Sequence, residues 1–559
     1  MKFLDARRLT GPNLHFDGPA AVLDVACTAA EAAAFIPAWR AAIGGYWSAL
    51  GEPAPAFSHI DLDGGVSLAF TAPIDALYAA SEVNEQAFVD VTGLPVAEPV
   101  ERSLDTLRAA LAEERNDALL ALQDEARVRG VPFFWDDDEA SLGMGRHSAV
   151  WPVRELPGVG DVDWESHRDI PVGLVTGTNG KTTTVRLARH ILRGAGRHVG
   201  VSSTDWIAVD DTILERGDWS GPGGARAVLR QPAADVGVLE AARGGLLRRG
   251  LGVERAAAAV ITNIAADHLG DFGSRNLEEL LAIKWIVSRA VAKGGRLILN
   301  AGDERLVRHA AGFEGEIAWF SLDPTLPLVR AHTAHGGVAY VLRGRDLVRL
   351  ADGTETVLCA DADIPITLGG AARHNVANAL AAAALAFELG ATTENIRAGL
   401  VSMSQEANPG RCNVFSIGDR HVLVDFAHNP QAMRALFDMA RALPARRRAL
   451  CFGQAGDRPD ELIREMTRDA WAIGLDRVYV SELADYRRGR DAGAVYAVIR
   501  DELLSLGADP GAVEHHELES DSFAAALDWA GDGDLVIMLA LGSYGTIRER
   551  IDTLIQATG

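Results

Sequence analysis

Residues 171–193 pass from an apolar run, Pro171 to Val175, through the turn Thr-Gly-Thr-Asn-Gly into a stretch with apolar residues at Val185, Ala188, Ile191 and Leu192. The first run is short and continuous, as in a buried strand; the second has helical spacing. A strand feeding a helix directly sends that helix back across the sheet, so this order commits the surrounding chain to a parallel, helix-covered sheet. It also sets a chemistry. The first N–H groups of the helix have no intrahelical acceptor, and the helix dipole favours an anion there. Lys181 adds a positive charge and the Thr182 hydroxyl suits Mg²⁺. Thr178, Asn179, Gly180, Lys181, Thr182 and Thr183 are therefore expected to cradle the phosphates of ATP or a close relative. The general phosphate-loop pattern has glycine where this chain has Val175; here the glycines stand at Gly173, Gly177 and Gly180.

The alternation continues on both sides of a break at Ala407-Asn408-Pro409-Gly410. Before it, strands are expected at 172–175, 236–239, 258–262 and 296–300, and helices at 182–193, 277–292 and 375–389. After it, strands are expected at 422–425, 449–452, 477–480 and 535–539. Residues 1–155 mix alternating stretches (59–70) with a long helical run (103–129), and 156–169 is polar, with Gly and Pro. The fold class predicted is α/β: a central doubly wound domain with the phosphate loop (170–408) and a C-terminal Rossmann-like α/β domain (409–559). An α+β N-terminal domain (1–155) and a linker (156–169) precede them. A chain of 559 residues is too long for one core.

The net charge of −23 disfavours nucleic acid and anionic membrane, although local basic patches can hold anionic substrates. The four cysteines lie far apart, so neither a metal-ligand spacing nor a disulfide framework is implied. The start has no long apolar core, and no apolar stretch approaches the roughly 20 residues of a membrane span. A soluble, cytoplasmic chain is expected.

In doubly wound sheets, ligands collect beyond the carboxyl ends of the strands. Glu240, Asn263 with Asp267-His268, and Asp425 with His428-Asn429 stand at three such ends. Glu240 is placed to hold Mg²⁺, directly or through water; a helix-capping or surface glutamate is the alternative. His268 is a candidate ligand for a second cation or a substrate-positioning group, and otherwise a structural histidine. Lys284 reads equally as a solvated lysine. Asn375 is either the N-cap of an alanine-rich helix or a base-reading amide. Arg411, at the break, reaches a phosphate across a cleft or bridges the domains. The clusters Arg243/Arg248/Arg249 and Arg487/Arg488/Arg490 are candidate carboxylate or phosphate holders, and Arg446–Arg448 reads as a solvated helix end.

Four ordered stretches resemble the Mur ligase superfamily, whose members join a carboxylate to an amine with ATP. They are Thr176 to Thr182, Thr262-Asn263 with Asp267-His268-Leu269, Gly370 with Arg373-His374-Asn375, and Asp425 to Pro430. The resemblance covers about 390 residues, from near Ile170 onward. Ala241 to Arg248, Ala265 to Gly270, Asn408 to Arg411 and Gly456-Asp457-Arg458 are similar to the Mur-like half of the cyanophycin synthetase branch. Leu9-Thr10-Gly11-Pro12-Asn13 is similar to that branch's start. Gly270 stands where cell-wall ligases carry aspartate. The ATP-grasp domain of that branch has no room between residues 146 and 170, so the resemblance implies one ATP-dependent site instead of two and no synthesis of the whole polymer by this chain alone.

The resemblance further implies that Lys181 contacts the β- and γ-phosphates, Thr182 the first Mg²⁺, and Glu240 and His268 the metal sites. It aligns Lys284 with a lysine carbamylated in many members, whose added carboxylate helps place Mg²⁺. It puts Asn375 at the adenine, Arg411 at the phosphates, Asp425 at the ribose or the hinge, and His428 in a substrate-facing loop. The expected activity is amide-bond formation through an acyl phosphate, on an amino acid or acidic peptide. Catalytic work is expected of Lys181, His268, Lys284, Arg411 and His428. The alternatives are a folylpolyglutamate-synthase-like glutamyl ligase, a phosphate-loop kinase or nucleotide switch, and a non-catalytic scaffold. The first 155 residues are expected to hold a substrate or to mediate homo-oligomer contacts.

Overall fold

A computed structural model describes residues 1–97, 103–267 and 275–558. Among them, the central region forms an eleven-stranded sheet. Seven neighbouring strands run parallel, in the order Val199–Ser202, Val236–Glu240, Val172–Thr176, Ala256–Ile261, Val291–Asn300, Glu316–Ser321 and Val338–Arg343. Antiparallel strands extend both edges: Trp206–Val209 and Thr212–Arg216 on one side, Asp346–Ala351 and Thr354–Ala360 on the other. The strand Val172–Thr176 is central, and its helix Lys181–Gly194 packs on one face beside Arg373–Glu388. Ala379 to Ala386 of the latter are fully buried. Alanine allows this helix to be enclosed by sheet and neighbouring helix at small side-chain entropy cost. Gly173, counted above with the loop glycines, serves that packing: a Cβ there would lie 2.8 Å from Leu385 and 2.9 Å from Leu389.

The C-terminal sheet runs Asn413–Ile417, Arg420–Asp425, Leu535–Leu539, Arg448–Phe452, Arg477–Ser481, Val513–His516, parallel except for its first strand. Two apolar clusters, around Leu436 and Ile499 and around Phe523 and Ile551, cover its faces. At the other end of the chain, Lys2–Leu9, Ala20–Ala26, Gly65–Thr71 and Phe57–Leu62 form an antiparallel sheet packed against helices Ala29–Ala49 and Leu77–Thr92. Among the described residues, no helix is long and apolar enough to cross a membrane.

Three local expectations change. The helical run 103–129 is two helices, Leu104–Glu114 and Asp117–Arg129, because Asn116 caps the second by accepting the Leu119 N–H at 3.0 Å while Arg115 turns to Asp75 at 2.9 Å. The helix expected over 277–292 stops at Trp285, because Val291 already pairs with Ala256 in the sheet. Arg446 and Arg447 are not a solvated helix end. They hold the buried Asp534, where burial is outweighed by Arg447, the Gly531 N–H and Arg446, so that its pKa falls to about 2. The polar segment 156–169 is anchored by its apolar residues, Leu156, Val159, Val162 and the buried Trp164, which pack near Leu122 and Leu142.

The N-terminal region is fastened to the central one by hydrogen bonds to backbone carbonyls. Thr10 N donates to Arg249 O (2.8 Å), Leu251 N to Pro12 O (2.7 Å) and Arg7 Nε to Leu247 O (3.0 Å). A Cβ at Gly11 would overlap Leu251 O, which gives the Leu9–Asn13 stretch a packing role. Nearby, His15 sits 3.0 Å from both Ser58 Oγ and Ser67 Oγ, and burial, only partly offset by Asp24, lowers its pKa from 6.5 to about 4. The folded state therefore favours neutral His15. That contribution is complete above pH 6.5 and disappears as the pH falls to 4, a loss of about 3 kcal/mol. His15→Gln is expected to flatten the fall in urea-unfolding stability over this window; an unaltered pH slope contradicts the assignment.

Candidate functional site

The loop between Val172–Thr176 and Lys181–Gly194 is held open by its surroundings. Gly177 and Gly180 have φ of 142° and 87°, where only glycine is unstrained. Side chains there would also overlap Thr262 Oγ1 and Asn378 Oδ1. Asn263 grips the loop on both sides of Asn179: its Oδ1 accepts the Asn179 N–H (3.0 Å) and its Nδ2 donates to Asn179 O (3.0 Å). Thr262 Oγ1 donates to the same carbonyl (2.6 Å), and Thr178 N donates to Asn263 O (2.9 Å). The strand Ala256–Ile261 thus delivers, just past its carboxyl end, the residues that shape its neighbour's loop.

Three ionisable side chains converge behind this loop. Glu240 ends the strand Val236–Glu240 and is 2% exposed; its Oε2 accepts the Thr182 hydroxyl at 3.0 Å, while its buried Oε1 has no hydrogen-bond partner. Burial raises the Glu240 pKa, with Lys181 and then Thr182 opposing. Lys181 Nζ donates to Thr178 O (3.0 Å). Lys284, from the helix Leu277–Trp285, is buried and donates to Gly177 O (2.8 Å). Burial first, then repulsion from Lys181, lowers its pKa well below the usual lysine value against the attraction of Asp267. Lys284 is not a solvated lysine. A buried carboxylate oxygen without a donor, beside the Thr182 hydroxyl, suits a hard cation that shares phosphate oxygens. Among the described residues, no three His, Cys, Asp or Glu side chains cluster as a metal cage.

The C-terminal domain sits on the loop. Asn179 and Asn429 exchange side-chain amide bonds (3.2 and 2.9 Å), and Asn179 Nδ2 also donates to Gln431 Oε1 (2.7 Å). Asn429 simultaneously caps the helix Pro430–Ala442 through Ala432 N. Across the same seam, Asp267 faces His428 Nε2 (3.4 Å) and Arg458 (3.5 Å). Arg411 lies over the Phe426 ring (4.6 Å) and contributes to the field at Glu240.

The remaining expected residues lie around this centre. Asn375 is neither exposed nor the helix N-cap, which is Ala372; its Nδ2 donates to Ile366 O (2.8 Å) and its Oδ1 accepts from Asn378 (3.1 Å), the residue lying over Gly180. Asp425 is buried and accepts the backbone N–H groups of Cys412 and Ala427, both at 2.7 Å. Thr183 faces Asn408 at the domain break (3.5 Å). The Arg487/Arg488/Arg490 cluster is engaged within its own domain, with Glu482, Asp457 and Asp460. His268 lies outside the described residues.

Arg186 escaped sequence reasoning because it falls inside a helical run, where an arginine signals nothing. It is buried, donating to Asn408 Oδ1 (3.1 Å), Pro409 O (3.0 Å) and Asp205 Oδ2 (2.6 Å), and burial, against the pull of Asp205, lowers its pKa to about 10. It pins the domain break to the helix that starts at the loop. Arg186→Ala is expected to cost about 2–3 kcal/mol through lost charge-assisted bonds, read as a lower melting temperature with the C-terminal domain unfolding first; one unshifted transition contradicts this.

Comparison with known proteins adds to this geometry. Residues 175–386 match the Mur ligase middle domain, and residues 410–542 match the Mur ligase, glutamate ligase domain. The chain belongs to the Mur ligase family. Among similar relatives, a cyanophycin synthetase of Crocosphaera subtropica is 34% identical over 466 residues, covering 83% of this chain and 51% of that protein. A cyanophycin synthetase of Trichormus variabilis is 40% identical over 375 residues, covering 66% of this chain and 41% of that protein. A UDP-N-acetylmuramyl-tripeptide synthetase of Deinococcus radiodurans is 28% identical and covers 69% and 76%. This chain spans about half the length, or less, of the cyanophycin synthetases it matches. The solved structure of E. coli FolC in complex with DHPP and ADP shares the fold, with a TM-score of 0.50 at 21% identity, covering 68% of this chain and 89% of that one.

Proposed function

We propose that the chain is an ATP-dependent carboxylate–amine ligase that forms an amide bond and releases ADP and phosphate. The observation that carries this is the buried Thr182–Glu240 pair with its unpartnered carboxylate oxygen, set under a glycine loop on which a second domain is seated. A kinase or switch needs the loop; it does not need Asn429, Gln431 and His428 closed over it. The names of the relatives, cyanophycin synthetase and UDP-N-acetylmuramyl-tripeptide synthetase, support the same class.

In this reading the loop of Thr178, Asn179 and Gly180, with Lys181, Thr182 and Thr183, is a phosphate loop. Its N–H groups and Lys181 hold the β- and γ-phosphates. Glu240 and the Thr182 hydroxyl would hold Mg²⁺, which would supply neutralisation of phosphate charge, and His268 is proposed as a ligand of a second ion. A substrate carboxylate oxygen attacks the γ-phosphorus, the bond to the ADP oxygen breaks, and an acyl phosphate results. The amine of the second substrate then attacks the acyl carbon and loses a proton, and the C–O bond to phosphate breaks. Positioning does most of this work. Arg411 reaches the phosphates, Asn375 supports the adenine side through Asn378 and the loop, and Asp425 holds the hinge through Cys412. His428 and Arg458, paired with Asp267, close the seam and exclude water.

Lys284 is proposed as a carbamate in the working enzyme: it is buried against Gly177 O, and burial lowers its pKa toward the neutral amine that adds to carbon dioxide. The substrates proposed are an amino acid and an acidic peptide. The N-terminal domain, divided from the ligase domains at 156–169, holds the latter. The test is phosphate release from ATP and Mg²⁺ across pairs of amino acids and acidic peptides. Release that needs both members of a pair is expected. Release equal with and without an amine contradicts a ligase.

A further inference from the structure

Cys412, the residue after Arg411 at the domain break, is 2% exposed and has φ of 53°, a left-handed conformation that is strained with a Cβ present and persists only where the surroundings hold it. The holding groups come from both domains. Its N–H donates to Asp425 Oδ2 at 2.7 Å and its thiol to the same oxygen at 3.3 Å. Nε2 of His374, from the central-domain helix Arg373–Glu388, lies 3.1 Å from the sulfur. A thiol carries one hydrogen, and here it goes to the carboxylate, so Sγ accepts from His374 Nε2–H. That tautomer leaves His374 Nδ1 as a bare lone pair, in keeping with its burial without a partner. Burial, opposed by Asp425, lowers the His374 pKa, and burial together with Asp425 raises that of Cys412, which favours the neutral form of each. Ala372 of the central domain packs in the same apolar cluster as Cys412, Leu423 and Ala427.

The strained turn fixes what lies on either side of it. Asn413 Oδ1 accepts the Gly410 N–H (2.6 Å) and the Tyr544 hydroxyl (3.3 Å), and Asp425 Oδ1 accepts the Ala427 N–H (2.7 Å). Asp425 thereby ties the residue after Arg411 to the residue after Phe426, and the two side chains so placed lie one over the other (4.6 Å). The charge of Arg411 is felt at Glu240. We propose that Cys412 is a positioning residue: its thiol, bridged to His374, sets Arg411 from the break against the phosphate loop of the central domain. This rests on the phosphate role proposed above for Arg411 and adds the group that aims it. A cysteine that only packed would act as a small apolar side chain, and alanine would serve in its place.

The test uses the full chain with Mg²⁺ and fluorescent mant-ADP, displaced by AMP or by β,γ-imido-ATP. The ratio of the two affinities isolates the β- and γ-phosphates, whereas a general loosening of the fold moves both alike. Arg411→Ala is expected to lower the preference for imido-ATP about tenfold, the loss of a charge-assisted pair. Cys412→Ala should lower it about fivefold, as one lost hydrogen bond implies. His374→Phe, which keeps a ring and removes the donor, should match that loss, and Cys412→Ser, which keeps a hydroxyl for both partners, should restore most of it. Arg411→Ala combined with Cys412→Ala should fall no further than Arg411→Ala alone, because the thiol acts through that arginine. An unchanged preference in Cys412→Ala or His374→Phe, an equal loss of AMP and imido-ATP, no recovery in Cys412→Ser, or losses that add in the double variant overturns the proposal. Failure of the phosphate reading shows separately, as an unchanged preference in Arg411→Ala, and removes the basis of the proposal with it.

Discussion

Lys181→Ala is expected to lower ATP-dependent phosphate release by about 10²–10³-fold, the loss seen when one preorganised group is removed from a site where charge develops. The reasoning starts from position. Lys181 is the first residue of its helix, and its ammonium is held over the loop by Thr178 O at 3.0 Å. It is also the largest charge influence that lowers the Glu240 pKa, and the largest that depresses Lys284. Removing it therefore does three things. The phosphates lose a cation, Glu240 moves further toward its protonated form, and Lys284 regains basicity. The expected signature is a fall in kcat with a shift of the pH profile, and unchanged binding of an acidic peptide. A variant with weakened nucleotide binding but unchanged kcat contradicts the assignment.

Glu240→Gln is expected to separate function from stability. The carboxylate is enclosed, one oxygen has no donor, and burial raises its pKa. Without a cation, ionised Glu240 is a liability of the fold, because a buried charge with incomplete pairing costs free energy. The neutral amide keeps the volume and an oxygen for the Thr182 hydroxyl. The metal-free variant should melt no lower than the wild type and, above neutral pH, higher. Activity should fall by about 10²–10³-fold, and the thermal stabilisation that Mg²⁺ with nucleotide gives the wild type should shrink. A variant that melts lower yet keeps its Mg²⁺ response shows Glu240 to be an ordinary structural residue.

The sequence carried the centre of the fold because the alternation of short apolar runs and helical repeats is local. The strands around Val172, Val236 and Leu535 were legible from a few residues each. Element ends were less so, since the stop at Trp285 is imposed by pairing of Val291 with a strand some 35 residues earlier. At the site, Glu240 and the loop were legible because strand-end position and glycine spacing are written in the chain. The burial of Lys284 was not: it depends on Leu277–Trp285 packing over the loop, and its own neighbours in sequence look like those of any short helix. Arg186 and Asn378 were invisible for the same reason, as both act on residues far away in the chain. The bridge at Cys412 needed the meeting of two domains, which no local pattern encodes.

The most direct test of the ligase account follows oxygen atoms. Acidic peptides labelled with oxygen-18 in their carboxylates are incubated with the protein, ATP, Mg²⁺ and a panel of amino acids, and the released phosphate and the peptide products are read by mass spectrometry. The account predicts one labelled oxygen in each phosphate released and a product joined through a new amide. Phosphate released without label, in step with ATP consumption and whatever amine is present, contradicts it.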